Sequence, residues 1–374
     1  MNYLEQFRAA KINSKLLEKL QQEFTVVKGK IKIMEVCGTH TQAISKIGLR
    51  ELLPSNVELL TGPGCPICVT PFSYIDTAIS LAQQEGVMVA TFADFLKVPG
   101  SNSTLELEQA QGPNVKTVYS PLDAVKIAEN NPEQEVVFLA VGFETTAPVI
   151  ALSILDAQKK NLTNYSLLQA LKTMPPVMEE LVLNQYLDID GFLCPGHVAS
   201  IIGVEPFQFL AKEYDLPAVV AGFEVGDILF ALEQIMEMIV RQEAKVVNAY
   251  PRVVEQKGNP KALKIMEQVF TSTVSRWRGL GKITNSGLEL RPEYQEFAAE
   301  NKFDFASATG KVAKQSGCSC GEVLMGIKKP TDCELFGTKC TPSHPLGPCM
   351  VSQEGSCAAY LYKVSVKMKL YSKE

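Results

Sequence analysis

The sequence predicts an α/β protein built from two similar parallel-sheet domains and a third, helical and loop-rich domain that carries a cluster of cysteines. Three observations predict it. Short β-branched runs alternate with amphipathic helical stretches through the middle of the chain, the pattern of parallel α/β units. Near residue 225 this alternation gives way to helical sequence, of which VGDILFALEQIMEMIVRQEA is the clearest stretch. Six of the ten cysteines then fall in the last sixth of the chain, among glycines and prolines.

The first set of strands reads IKIMEV (31–36), VELLT (57–61), VMVATF (87–92) and VKTVY (115–119). The second reads VVFLAV (136–141), SLLQALK (166–172), GFLC (191–194) and AVVAGF (218–223). Taken in order, they predict one α/β domain over 30–119 and another over 120–224, with 1–29 and 225–374 forming the third. Helix starts are expected at Thr70-Pro71 and Ser120-Pro121, where a hydroxyl can cap ahead of a proline in the first turn. The tripeptide Gly-Phe-Glu closes one strand at 142–144 and another at 222–224, a short hint of equivalent turns. KVSVKMK near the end reads as the exposed face of a strand.

Composition narrows the function classes. At 46% hydrophobic and 21% charged, 374 residues suffice for two or three globular cores. A net charge of −5 without a basic stripe argues against nucleic acid as a partner. No segment is apolar over a bilayer's width, so no membrane association is expected. The start, MNYLEQFRAAKINSK, has no apolar leader core, and the expected location is cytoplasmic.

Cysteine chemistry follows from that location. Disulfide frameworks belong to small secreted domains, whereas cytoplasmic thiols stay reduced. Cys318, Cys333, Cys340 and Cys357, spaced C-x14-C-x6-C-x16-C, supply enough thiolates to hold a metal centre, with Cys320 and Cys349 in the same segment. Glycine and proline suit a cage made of loops. Four thiolates fit Zn(II) or an iron–sulfur cluster, and ligand type alone leaves both open. The absence of paired C-x-x-C knuckles in this segment favours the cluster.

Other reactive residues collect where strands end, the place where parallel sheets bind ligands. The first strand runs into Cys37-Gly38-Thr39-His40 and the second into Gly62-Pro63-Gly64-Cys65-Pro66-Ile67-Cys68. A C-x-x-C ahead of a helix suits redox or metal chemistry, and the helix N-terminus is expected to lower the thiol pKa values. Cys37 alone reads equally as a small core residue, but His40 three residues on can orient or deprotonate its thiol. Cys194 reads as core, and His197 as a ligand or a cap. Glu144 and Glu224 read as solvent-facing strand ends with an acid–base role open to them, and Thr145 and Thr146 as helix caps. The sequence contains no phosphate-binding G-x-x-x-x-G-K-[ST] loop.

The segments MEVCGTHTQAISKIGLRELLP, VELLTGPGCPICVTP, VGFETTAP, CPGHVASIIG and CSCGEVLMG through EGSCAAYLY resemble the HypD family of hydrogenase maturation factors, over nearly the whole chain and in order. The resemblance implies three domains, the third holding a [4Fe–4S] cluster on Cys318, Cys333, Cys340 and Cys357. It also implies work on the Fe(CN)2(CO) unit of [NiFe] hydrogenases, with a HypC-type chaperone and a HypE-type cyanide donor as partners. Cys37 would then bind the iron being dressed with cyanide and carbon monoxide, Cys65 and Cys68 would be the redox or iron-proximal pair, and His40 would lie close by. The rival expectation is a cluster-linked disulfide reductase of the ferredoxin:thioredoxin reductase type acting through Cys65 and Cys68. Such a reductase has no need of Cys37-Gly38-Thr39-His40.

Overall fold

A computed structural model describes residues 10–27, 29–305 and 317–362; the KVSVKMK segment lies outside them. The fold is α/β with two parallel sheets, and the eight expected strands all form. They are β1 (Ile31–Glu35), β2 (Val57–Thr61), β3 (Val87–Thr91), β4 (Val115–Thr117), β5 (Glu135–Gly142), β6 (Tyr165–Leu171), β7 (Gly191–Pro195) and β8 (Ala218–Ala221). Three more follow: β9 (Val246–Asn248), β10 (Phe270–Trp277) and β11 (Gly281–Leu290).

Their order corrects the contiguous division at residue 119. The first sheet runs β2-β1-β7-β8-β9 and the second β4-β3-β5-β6, while β10 and β11 pair as an antiparallel hairpin. The chain therefore leaves the first sheet after β2, builds the whole second sheet, and returns at β7, which pairs with β1 through Glu35 and Leu193. Apolar alternation specifies that a strand forms, but pairing between segments 130 or more positions apart has no local signature. Each sheet reverses direction once, the first between β1 and β7 and the second between β3 and β5, and those crevices are where ligands enter parallel sheets.

The pleat then divides the core. Met34 and Val36 of the first sheet share one apolar cluster with Val89, Val137 and Leu139 of the second and with Cys320, Leu324 and Cys349. Val136 and Phe138, pointing the other way, pack under the second sheet's outer helices. On the first sheet's outer face, Ile31 and Ile33 meet Leu20 and Phe24 from the helix Ala10–Val26 and Ile228 and Leu232 from the helix Val225–Arg241. This corrects the assignment of both helices to the cysteine-rich domain. Their apolar stripes are the cover that a parallel sheet needs on its second face. Cys194 is fully buried in the shared core, as expected.

Local signals fared unevenly. Ser120 caps the helix Pro121–Asn130 by accepting from Leu122 N–H, while Asp123 accepts from the Ser120 N–H. Thr70 does not cap; its hydroxyl donates back to the Pro66 carbonyl, and the next helix, Phe72–Ala82, starts after Pro71. No helix among the described residues is long and apolar enough to cross a membrane.

Glu144, expected to face solvent, is 2% exposed. One carboxylate oxygen accepts the Met174 N–H at 2.8 Å and the other has no partner among the described residues. Burial pushes this carboxyl up to about 7 from an ordinary 4.5. A raised folded-state pKa means that stability is intact below the unfolded value and is lost as pH rises through 7. Glu144→Gln, which keeps the acceptor and cannot ionise, should therefore be more stable than wild type near pH 8 by up to about 3 kcal/mol. The difference should vanish in urea titrations near pH 4.

Candidate metal and thiol site

Cys37 sits where β1 turns into the helix Gly38–Lys46, in extended conformation at the N-cap. Its carbonyl accepts the Thr41 N–H at 3.0 Å, and its own N–H donates to Glu35 at 3.3 Å. Glu35 is a carboxylate inside the protein, 1% exposed. It also accepts the Thr41 hydroxyl at 2.7 Å and pairs with Arg50 at 3.4 Å. Burial pushes it up to about 7 against the pull of Arg50. Arg50 in turn donates to Thr61 and Ser45 and stacks over Tyr360, three residues beyond Cys357.

The Cys37 thiol is also buried, which pushes it up to about 12; the His40 and Thr39 backbone N–H groups at the helix start favour its thiolate, and Glu354 opposes it. Glu354 reaches in from the cysteine-rich segment, accepts the Thr39 hydroxyl at 2.6 Å, and lies so close to Gly38 that a Cβ there would stand 2.5 Å from its own. His40 is fully buried, with Nε2 at 2.9 Å from the Gly222 carbonyl. A carbonyl only accepts, so Nε2 carries the proton and Nδ1, which has no partner among the described residues, presents a lone pair. Burial lowers its pKa to about 4, keeping the ring neutral. Phe223 lies between His40 and His197, with ring centroids 4.7 and 3.9 Å away.

The Gly-Pro-Gly turn after β2 brings the second pair of thiols to Cys37. Gly38 N–H donates to the Gly64 carbonyl at 3.1 Å, and a Cβ on Gly64 would stand 2.4 Å from the Cys37 nitrogen. Cys65 then caps the four-residue helix Pro66–Val69, its sulfur accepting the Cys68 N–H at 3.3 Å. The expected lowering of the thiol pKa fails at Cys68, which burial raises well above the ordinary value. One helical turn supplies little dipole to offset complete removal from water.

Beyond Cys68 the sulfurs continue in a row. Cys68 contacts both Cys65 and Cys349, Cys349 lies 3.1 Å from Cys320, sulfur to sulfur, and Cys320 contacts Cys318. Cys318, Cys333, Cys340 and Cys357 line one small cavity together with Cys320 and Cys349, with Phe336, Gly347 and Met350 around them. The Cys340 sulfur accepts the Leu346 N–H at 3.3 Å. Among the described residues no three donors meet closely enough for a single ion.

Of the residues singled out by sequence, Cys65 follows the Gly64 turn that packs on the Cys37 backbone, His40 lies in the helix that Cys37 opens, and the six C-terminal cysteines line one cavity, where Cys349 reaches Cys68. Glu224 and Thr145 stand apart: the Glu224 N–H donates to Asp227, and Thr145 is exposed. Sequence reasoning missed Glu35, Arg50 and Glu354. An acid in the middle of the apolar run IKIMEV was the available signal for the first of them. Since the Gly64–Cys37 approach leaves no room for a methyl group, Gly64→Ala should cost about 1–3 kcal/mol in urea denaturation. An unchanged midpoint would mean that the turn has slack.

Comparison with known proteins shows the family. A family model described as HypD, hydrogenase formation hypA family, matches residues 11–364. The hydrogenase maturation factor HypD of Escherichia coli K12 is 40% identical over 96% of this chain and 97% of its own. The factor of the same name from Cupriavidus necator is 40% identical over 96% of both chains, and that from Rhodobacter capsulatus 43% over 88% of both. With the match running along almost the whole sequence, the chain belongs to the HypD family.

Proposed function

We propose that this chain acts in hydrogenase maturation as the scaffold on which the Fe(CN)2(CO) unit of a [NiFe] hydrogenase is assembled, with the iron anchored at Cys37. The observation that supports it is the Gly64 turn packed on the Cys37 backbone, which sets Cys65 and Cys68 next to the strand end that carries Cys37 and His40, with Cys68 beside Cys349 of the cysteine-lined cavity. Iron that will carry cyanide and carbon monoxide is soft and calls for thiolate donors and shielding from water. Burial pushes the Cys37 thiol up to about 12, so it keeps its proton until iron displaces it, and uptake is coupled to proton release. His40, held neutral by burial with a pKa of about 4, is too weak a base to keep that proton and offers its bare Nδ1 as a lone pair instead.

The donor set Cys318, Cys333, Cys340 and Cys357 fits a [4Fe–4S] cluster, which when bound would supply one-electron chemistry beside Cys320. The chain's own contribution there is to exclude water and to lead from the cavity to Cys68 through Cys320 and Cys349. The natural partners are a HypC-type chaperone, contributing a further thiolate to the iron, and a HypE-type cyanide donor. A disulfide reductase working through Cys65 and Cys68 would also use the sulfur row, but it leaves Cys37 and His40 without a task.

The two readings part in one experiment. The chain is purified anaerobically with the HypC-type partner and examined by infrared spectroscopy for bound cyanide and carbon monoxide. Cys37→Ser should remove those bands, because a serine oxygen is a poor donor to low-spin iron, and should leave the visible absorption of the cluster intact. Bands of undiminished strength would make Cys37 a packing residue and move the anchor to Cys65 or Cys68.

A further inference from the structure

His40 owes its bare Nδ1 to the carbonyl of Gly222, and that carbonyl is held by a buried ion pair that the fold alone does not call for. The turn Gly222-Phe223-Glu224 leads from β8 into the helix Val225–Arg241. Asp227, in the first turn of that helix, is fully buried; it accepts the Glu224 N–H at 3.2 Å, while the Glu224 side chain accepts the Asp227 N–H. Such a reciprocal cap satisfies two backbone donors wherever it stands and does not need to be buried. Here Asp227 is turned inward and clamped by Arg252, from the turn after β9, with Nη1 on Oδ1 at 2.8 Å and Nη2 on Oδ2. Two charges taken out of water in this way add little stability over an apolar pair of similar volume, so the pair points to a demand for geometry.

The clamp acts directly on Gly222. A Cβ on Gly222 would stand 2.3 Å from Asp227 Oδ2 and 2.7 Å from the Tyr250 ring, so carboxylate and ring both rest against this residue. Arg252 grips the two of them, for its guanidinium also lies 4.4 Å from the Tyr250 ring centroid. Tyr250 in turn meets Phe223 edge-on at 6.0 Å, and Phe223 is the ring that stands between His40 and His197. The direction of the Gly222 carbonyl, which meets His40 Nε2 at 2.9 Å, is thus fixed by groups that Arg252 holds.

We propose that Arg252 is a positioning residue for His40: through Asp227 and Tyr250 it seats the Gly222 carbonyl against Nε2, and so keeps the imidazole in the Nε2–H tautomer with its lone pair on Nδ1. The hydrogen bond made by one ring nitrogen decides what the other presents, and an imidazole whose partner drifts away is free to take either form. In the second form the lone pair sits on Nε2, facing the carbonyl, and Nδ1 offers a proton instead. Arg252 touches neither Cys37 nor His40 in this scheme; it acts through the turn.

This inference rests on the reading of His40 as a lone-pair donor beside the Cys37 anchor, and its test separates the two. The chain has three histidines, so 15N-labelled histidine and long-range proton–nitrogen correlation read each imidazole, and the His40 signals are those lost in His40→Gln. In the full-length chain, purified anaerobically, Nε2–H should exceed Nδ1–H at His40 by about tenfold or more. In Arg252→Gln that ratio should fall by about three- to tenfold, and Arg252→Lys, which keeps the charge, should return it to within about twofold of wild type. A purely structural role would lower thermal stability and leave the ratio alone. Where Arg252→Gln fails to fold because the Asp227 charge is stranded, the double variant Asp227→Asn, Arg252→Gln, which leaves no charge behind, is measured against the same expectation. An unchanged ratio in the folded variant would overturn the role of Arg252, as would failure of both variants to fold, which would assign the pair to the helix cap. Nδ1–H at His40 in wild type would overturn it together with the lone-pair reading. The infrared bands of cyanide and carbon monoxide decide the iron anchor separately: if wild type lacks them the anchor falls, and the tautomer ratio still decides Arg252.

Discussion

The approach of the Gly64 backbone to Cys37 sets the geometry on which the thiol site depends. It joins the ends of β1 and β2 tightly enough that Gly38 donates across the gap at 3.1 Å, and no residue with a side chain fits at Gly64. Cys65 and Cys68 follow directly from that turn, so their position relative to Cys37 is a matter of backbone register between two paired strands, Glu35 beside Thr61. Register of this kind is stiff, because slipping it by one residue would turn every buried side chain of the sheet outward. A metal site gains from such stiffness, since the donors need not be gathered when the ion arrives.

Around this rigid centre the protein has buried an unusual number of ionisable groups. Glu35, His40 and the Cys37 thiol are all withheld from water, and burial is the first cause of each displaced pKa. In each case the neutral form is favoured. Such a site carries little charge before loading, and binding of a cation would change the protonation of several groups at once. Glu354 and Arg50 extend the same network into the cysteine-rich segment, through Thr39 on one side and Tyr360 on the other. The Cys37 segment is thereby tied to the stretch of chain around Cys357.

Much of this was legible in the sequence. Strand existence came from β-branched runs, the Ser120 cap from the proline that follows it, and the reactive residues from their place at strand ends. Strand order was not legible. β1 and β7 are neighbours because the second sheet is inserted between β2 and β7, and no pattern in IKIMEV or GFLC announces the partner. The sulfur row was invisible for the same reason, as Cys68 and Cys349 meet only after the fold brings their segments together. The thiol pKa of Cys68 was misjudged because the helix that follows is one turn long and complete burial outweighs it.

At the centre of the account are two separate iron sites, one in the crevice at Cys37 and one in the cavity of Cys318, Cys333, Cys340 and Cys357, and Mössbauer spectroscopy reads both in one sample. In chain enriched with 57Fe and purified anaerobically with the HypC-type partner, the account predicts a cubane signal from about four irons and a distinct low-spin ferrous signal from about one. Cys340→Ala should abolish the first of these. A sample with a single iron population, or one holding about one zinc and no labile sulfide, would contradict it.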